Sequence, residues 1–205
     1  MKYNGRIYIS FFTMRQDLSS SGKVDRGSFL ERALLGAPKL APVDWDLDKI
    51  GGLNQVRKWV DHNLAGVMAK IRAHQEGDPS LPSRPFLKEL SMDIDSALEE
   101  LTDMEGKELR VYSAVETPLD LNGVDFWFEL VEEETGRVLA DYKVDLTANL
   151  NKTQPAGLAD MVYYYDTSLD DEGGFKAVRN GADYEYLVEA VTDNLVRRAH
   201  LPRKH

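Results

Sequence analysis

Charged side chains crowd residues 125–145, in the stretch GVDFWFELVEEETGRVLADYKVD, and five could do chemistry together: Asp125, Glu129, Asp141, Lys143 and Asp145. Two or three carboxylates on one sheet face can hold Mg²⁺ or Mn²⁺ through oxygen ligands. A lysine beside them can orient or deprotonate a water and stabilise charge on a phosphate. Together these are the parts needed for phosphodiester hydrolysis.

The segment must therefore bring its acids together, and its alternation says how. Val124, Phe126, Phe128 and Leu130 share one face of a first strand, with Asp125, Trp127 and Glu129 on the other. In the next strand Val138, Ala140, Tyr142, Val144 and Leu146 oppose Leu139, Asp141, Lys143 and Asp145. A two-residue Thr-Gly loop matches no favoured hairpin turn. A three-residue loop, Glu134-Thr135-Gly136, with Gly136 left-handed, fits better. It pairs Glu133 with Arg137, Glu129 with Asp141, Trp127 with Lys143 and Asp125 with Asp145, so all the acids and the lysine share a face. Asp125 and Asp141 are then four residues apart along the strands, about 13 Å. They share a metal only if a bulge intervenes; otherwise Asp145 is the metal partner of Asp125. The competing reading is a solvated sheet face whose cross-strand pairs each contribute ~0.2–1 kcal/mol. Trp127 and Leu139 on that face, and three Asp residues in strands that disfavour them, tilt the balance toward a site.

This pattern resembles the PD-(D/E)xK nuclease superfamily. Asp125 in Gly-Val-Asp matches the metal-binding Asp of that family's second core strand. Asp141-Tyr142-Lys143 matches the (D/E)-x-K of the third, in a form seen in nuclease domains fused to recombination helicases. The resemblance covers residues 90–150. It implies a restriction-endonuclease-like core: a helix, three strands, a helix and a fourth strand. It also implies a supporting Glu99 or Glu100 from the preceding helix, Mg²⁺ or Mn²⁺ bound by Asp125 and Asp141 (or Asp145), Lys143 as the water-positioning group, and DNA as substrate.

The rest of the chain supplies the frame. Residues 5–14 read as a strand. Residues 28–35 read as a helix with Ser28 as N-cap and Gly36 as stop. Val56, Trp59, Val60, Leu64, Val67, Met68 and Ile71 recur at helical spacing over 53–75. EGDPSLPSRP is a breaker-rich linker. Phe86, Leu90, Ile94, Leu98 and Leu101 make one face of a helix over 86–106, with a break near Ser91. Strands are expected at 109–115 and 161–166, and a last helix runs from an Asp183 cap through Arg198. The expected class is mixed α/β: a central mixed sheet of four to five strands flanked by helices. Residues 1–80 form a mostly helical part and 85–205 the α/β core, with one compact domain as the alternative.

Composition limits the function classes. Cysteine is absent from the 205 residues, which excludes disulfides, thiolate nucleophiles and Cys-based zinc sites. No histidine pairs with another at i, i+4. No run approaches the ~20 apolar residues of a membrane helix, and the N-terminus lacks a signal-peptide pattern, so a cytoplasmic location is expected. A net charge of −10 opposes non-specific phosphate-backbone binding. A second functional class therefore stands beside the nuclease: a non-catalytic interaction or assembly protein whose acidic surface binds a basic partner. A homodimer or larger complex is left open.

Overall fold

Period-two alternation builds a sheet with two unlike faces. The computed structural model describes residues 26–40, 45, 50, 52–147, 151–152, 154–155, 157–164 and 182–204. The strand expected over 5–14 lies outside them. The described elements are α1 (Arg26–Leu35), α2 (Leu53–Arg72), α3 (Pro85–Leu101), β1 (Lys107–Ser113), a 3-10 turn (Asp120–Asn122), β2 (Phe126–Glu132), β3 (Val138–Thr147), β4 (Met161–Tyr164) and α4 (Ala182–Arg198). The chain is mixed α/β. Its four-stranded sheet has the order β1-β2-β3-β4, antiparallel except for the parallel β3–β4 pair.

One face carries Leu109, Val111, Phe126, Phe128, Leu130, Tyr142, Val144 and Leu146. It is sealed by α3 and α4 through Leu90, Ile94, Leu98, Leu187, Val191 and Leu195. Burying each of these side chains stabilises the fold by about 1.5–3 kcal/mol. The other face holds cross-strand rows of mixed character: Arg110–Glu129–Asp141 and Tyr112–Trp127–Lys143. Helix α2 covers part of it, with Val56, Val60, Val67, Met68 and Ile71 packed around Tyr112 and Trp127, whose rings stack at 5.0 Å. The 53–72 helix thus shares a core with the sheet.

Three local expectations need correction. Ser28 lies inside α1 rather than capping it, because the helix already begins at Arg26. Helix α3 runs unbroken through Ser91, which is itself buried, and ends at Leu101 rather than 106. There Thr102 turns extended, donates its hydroxyl to Pro202 O at 2.7 Å and bridges to Arg203. The β2–β3 loop is one residue longer than expected: Glu132, not Glu133, faces Arg137, with Glu132 N donating to Arg137 O at 2.9 Å. Gly136 supplies the left-handed corner at φ 68°. A bulge between Leu130 and Val131, across from Leu139, then absorbs the extra residue. Register below it is Glu129↔Asp141 and Trp127↔Lys143, as the alternation requires.

Exposed sheet edges invite pairing with other chains, and the β1 edge and the part of β3 beyond β4 are covered. The Gln75 amide clasps Ser113 N (3.1 Å) and Ser113 O (2.7 Å), and Val111 N donates to Pro79 O at 2.9 Å. Where β3 runs past the end of β4, Lys143 N donates to Asp160 Oδ2 at 2.8 Å, and Arg198 Nη1 donates to Asp141 O at 2.7 Å.

Candidate metal centre

Asp125 sits at the entrance to β2, fixed from both sides. Its N–H donates to Val144 O at 2.9 Å, and its carbonyl accepts from Ala114 N at 2.7 Å. The register carried back from Phe126↔Val144 sets it opposite Asp145. Its side chain turns along the sheet end, where Oδ2 accepts from Leu146 N at 2.6 Å. The residue is only 5% exposed.

The segment before it, SAVETPLDLNG, folds to deliver Asp120 to the same place. Thr117 Oγ1 donates to Ala114 O at 2.7 Å and accepts from Leu119 N at 3.2 Å, starting the 3-10 turn. Glu116 is held at φ 63°, left-handed for a non-glycine, and its N–H donates to Asp120 Oδ2 at 2.8 Å. The turn is anchored from α2, where Arg57 Nε donates to Leu121 O at 3.0 Å. From the other side, Leu158 N donates to Asn122 O at 3.0 Å. That second contact requires a glycine before it: a Cβ on Gly157 would lie 2.0 Å from Asn122 O.

Helix α1 adds the third acid. Gly36, at the end of α1, accepts from Ser113 Oγ at 2.9 Å, and Arg32 pairs with Glu116 at 2.7 Å. These contacts bring Glu31 to Asp120 and Asp125, with one carboxylate oxygen of each within 4.8 Å of the others. That spacing suits ligands of one hard cation: metal–oxygen bonds of about 2.1–2.4 Å place trans oxygens about 4.2–4.8 Å apart. Burial, then the charges of Asp120 and Glu31, push the Asp125 carboxyl well above the usual carboxylate range. Asp145, 2% exposed, adds a further weak push and pairs with Lys152 Nζ at 2.6 Å.

The other expected site residues lie elsewhere. Asp141 and Lys143 are ion-paired at 2.6 Å, and Arg198 approaches the same carboxylate at 3.6 Å while binding Asp160 at 2.6 Å. Two acids and two cations balance there, so that cluster satisfies itself. Asp125 and Asp141 stay four strand positions apart, about 13 Å, because the only irregularity recorded in the β2–β3 ladder lies above Glu129. Glu129, fully buried, takes a fork from Arg72 (2.9 and 2.5 Å to Oε1, 3.0 Å to Oε2) and a bond from Trp127 Nε1 at 2.8 Å. Glu99 and Glu100 are exposed on α3, which packs on the opposite sheet face from Lys143. Neither joins the Asp125 cluster.

Comparison of the chain with family models, with curated proteins and with solved structures found no match. Its functional reading therefore rests on its own residues. Among these, sequence reasoning missed Glu31, Asp120 and Lys152. The Thr-Pro-x-Asp-x-Asn-Gly run, a turn signal just before Asp125, points to Asp120 alone; no local pattern marks Glu31 or Lys152.

Proposed function

We propose that the chain is a divalent-metal-dependent phosphodiesterase, with DNA as substrate, whose ion is held by Glu31, Asp120 and Asp125. The observation that carries this reading is the convergence of three carboxylates from three separate elements on the buried Asp125. Burial beside Asp120 and Glu31 disfavours the charged form of Asp125, and a bound cation would relieve it. The all-oxygen donor set suits Mg²⁺ or Mn²⁺. When bound, the ion supplies Lewis-acid polarisation of a phosphoryl oxygen and a more acidic water. Leu146 N holds the Asp125 carboxylate in place. Asp145, across the ladder from Asp125, is the alternative metal partner, and its ion-pair partner Lys152 lies seven residues on, outside the Asp-x-Lys spacing of the nuclease resemblance. Lys152 is the group that would position a water or meet a phosphate oxygen. In this reading Asp141 and Lys143 serve the fold. No helix among the described residues is long and apolar enough to cross a membrane.

The test is cleavage of fluorescent single- and double-stranded oligonucleotides with MnCl₂ or MgCl₂. Cleavage should be abolished by EDTA, fall at least a hundredfold in Asp125→Asn and Glu31→Gln, and survive in Lys143→Ala. Absence of metal-dependent cleavage by the wild type, or full activity in Asp125→Asn, overturns the proposal.

A further inference from the structure

A second feature is a cavity lined by none of Glu31, Asp120 and Asp125. It is a groove of about 440 Å³ between α3 and α4, on the outer side of the helical layer. Its floor is apolar, made by Ala97, Leu101 and Val188. Five acids line it, Asp93, Glu100, Glu185, Glu189 and Asp193, and no lysine or arginine does. Two of the five are occupied within the chain. Asp93 accepts from Tyr184 Oη at 2.7 Å, and Asp193 pairs with Arg203 at 2.7 Å. Glu100, Glu185 and Glu189 have no cationic partner among the described residues.

Helical spacing makes this one continuous stripe. On α4 the lining residues Glu185, Val188, Glu189 and Thr192 recur at three and four. From Tyr184 to Asp193 they extend about 14 Å at 1.5 Å per residue. A helix of two to three turns would match that length. The opposite surface of α4 is spent on the core through Leu187, Val191 and Leu195, so the acids are not needed to hold it.

We infer that this groove docks a basic amphipathic helical segment of another protein. Its apolar residues at i, i+4 would sit on Ala97, Leu101 and Val188. Its lysines or arginines would pair with Glu100, Glu185 and Glu189. The net charge of −10 would steer such a segment toward the chain. The groove is separate from the Glu31–Asp120–Asp125 cluster, so the inference stands or falls independently of the hydrolase reading.

The experiment uses the full chain and two labelled synthetic 14-residue helices with identical leucines, one bearing lysines and one glutamates. Fluorescence anisotropy at 50 and 300 mM NaCl should give micromolar binding of the basic helix, weakened several-fold by salt. The acidic helix should not bind. Glu185→Lys/Glu189→Lys, two exposed positions on a packed helix, should lose at least tenfold affinity and leave the thermal midpoint within about 2 °C. Three results would overturn the inference: no binding of the basic helix, equal binding by the double variant, or concentration-dependent self-association of the chain that the double variant abolishes. The last would mean the groove is filled by a second copy.

Discussion

Asp125→Asn should stabilise the metal-free protein at neutral and alkaline pH. Asparagine keeps an oxygen for Leu146 N, so the 2.6 Å hydrogen bond has a successor, and the change removes only the charge. One carboxylate oxygen of each partner lies within 4.8 Å of the others. At that distance and an effective dielectric of ~20, each pair of full charges repels by about 3.5 kcal/mol. Proton uptake limits the cost. The folded carboxyl is raised by burial and by Asp120 and Glu31, so the folded state holds this proton more tightly than the unfolded one. Its contribution to stability is therefore complete below the unfolded carboxyl range. It declines as pH rises toward the folded value, by about 1.4 kcal/mol per pH unit. We expect Asp125→Asn to gain about 1–3 kcal/mol at pH 8 in EDTA, or ~2–12 °C in midpoint for a chain this size. The gain should vanish near pH 4. Thermal melts from pH 4 to 9 measure it directly. A variant less stable than wild type at pH 8, or a gain that does not change with pH, would refute the electrostatic account of the cluster.

Two further outcomes follow from the same geometry. Arg72→Ala should cost about 3–5 kcal/mol, because among the described residues it leaves the buried Glu129 with only Trp127 as donor. The double variant Arg72→Met/Glu129→Met should recover most of that loss in urea denaturation. Gly157→Ala must accommodate a Cβ 2.0 Å from Asn122 O at φ 62°. It should cost more than ~2 kcal/mol, counting about 1–2 kcal/mol for the left-handed backbone alone. It should also weaken metal binding by loosening the turn that carries Asp120, read as a lower midpoint and a higher Kd.

Much of the frame was legible because its signals are local. The spacing of Val56, Val60, Val67 and Ile71 marks the face of α2 that is buried, and Phe86, Leu90, Ile94 and Leu98 do the same for α3. Alternation settled the faces of β2 and β3, and the Gly136 corner came close to the turn. The loop length was off by one because the bulge opposite Leu139 leaves no mark in the pattern. The candidate centre was only half legible. Asp125 and its register partner Asp145 are visible in the ladder, as is the separation of Asp125 from Asp141. Glu31 is not, since it sits 94 residues from Asp125 on a helix whose docking depends on contacts such as Ser113 Oγ to Gly36 O. Lys152 lies five residues past the end of β3, outside the alternation that marks its partner Asp145. The Asp-Tyr-Lys motif drew attention to a lysine that the structure closes into an ion pair.

The most direct measurement is isothermal titration of MnCl₂ into the wild type, Asp125→Asn and Asp141→Asn at pH 7.5. The account predicts a single oxygen-ligand site in the wild type that is kept in Asp141→Asn and lost in Asp125→Asn. No binding by the wild type at millimolar Mn²⁺, or loss of binding in Asp141→Asn with Asp125→Asn unaffected, would contradict it.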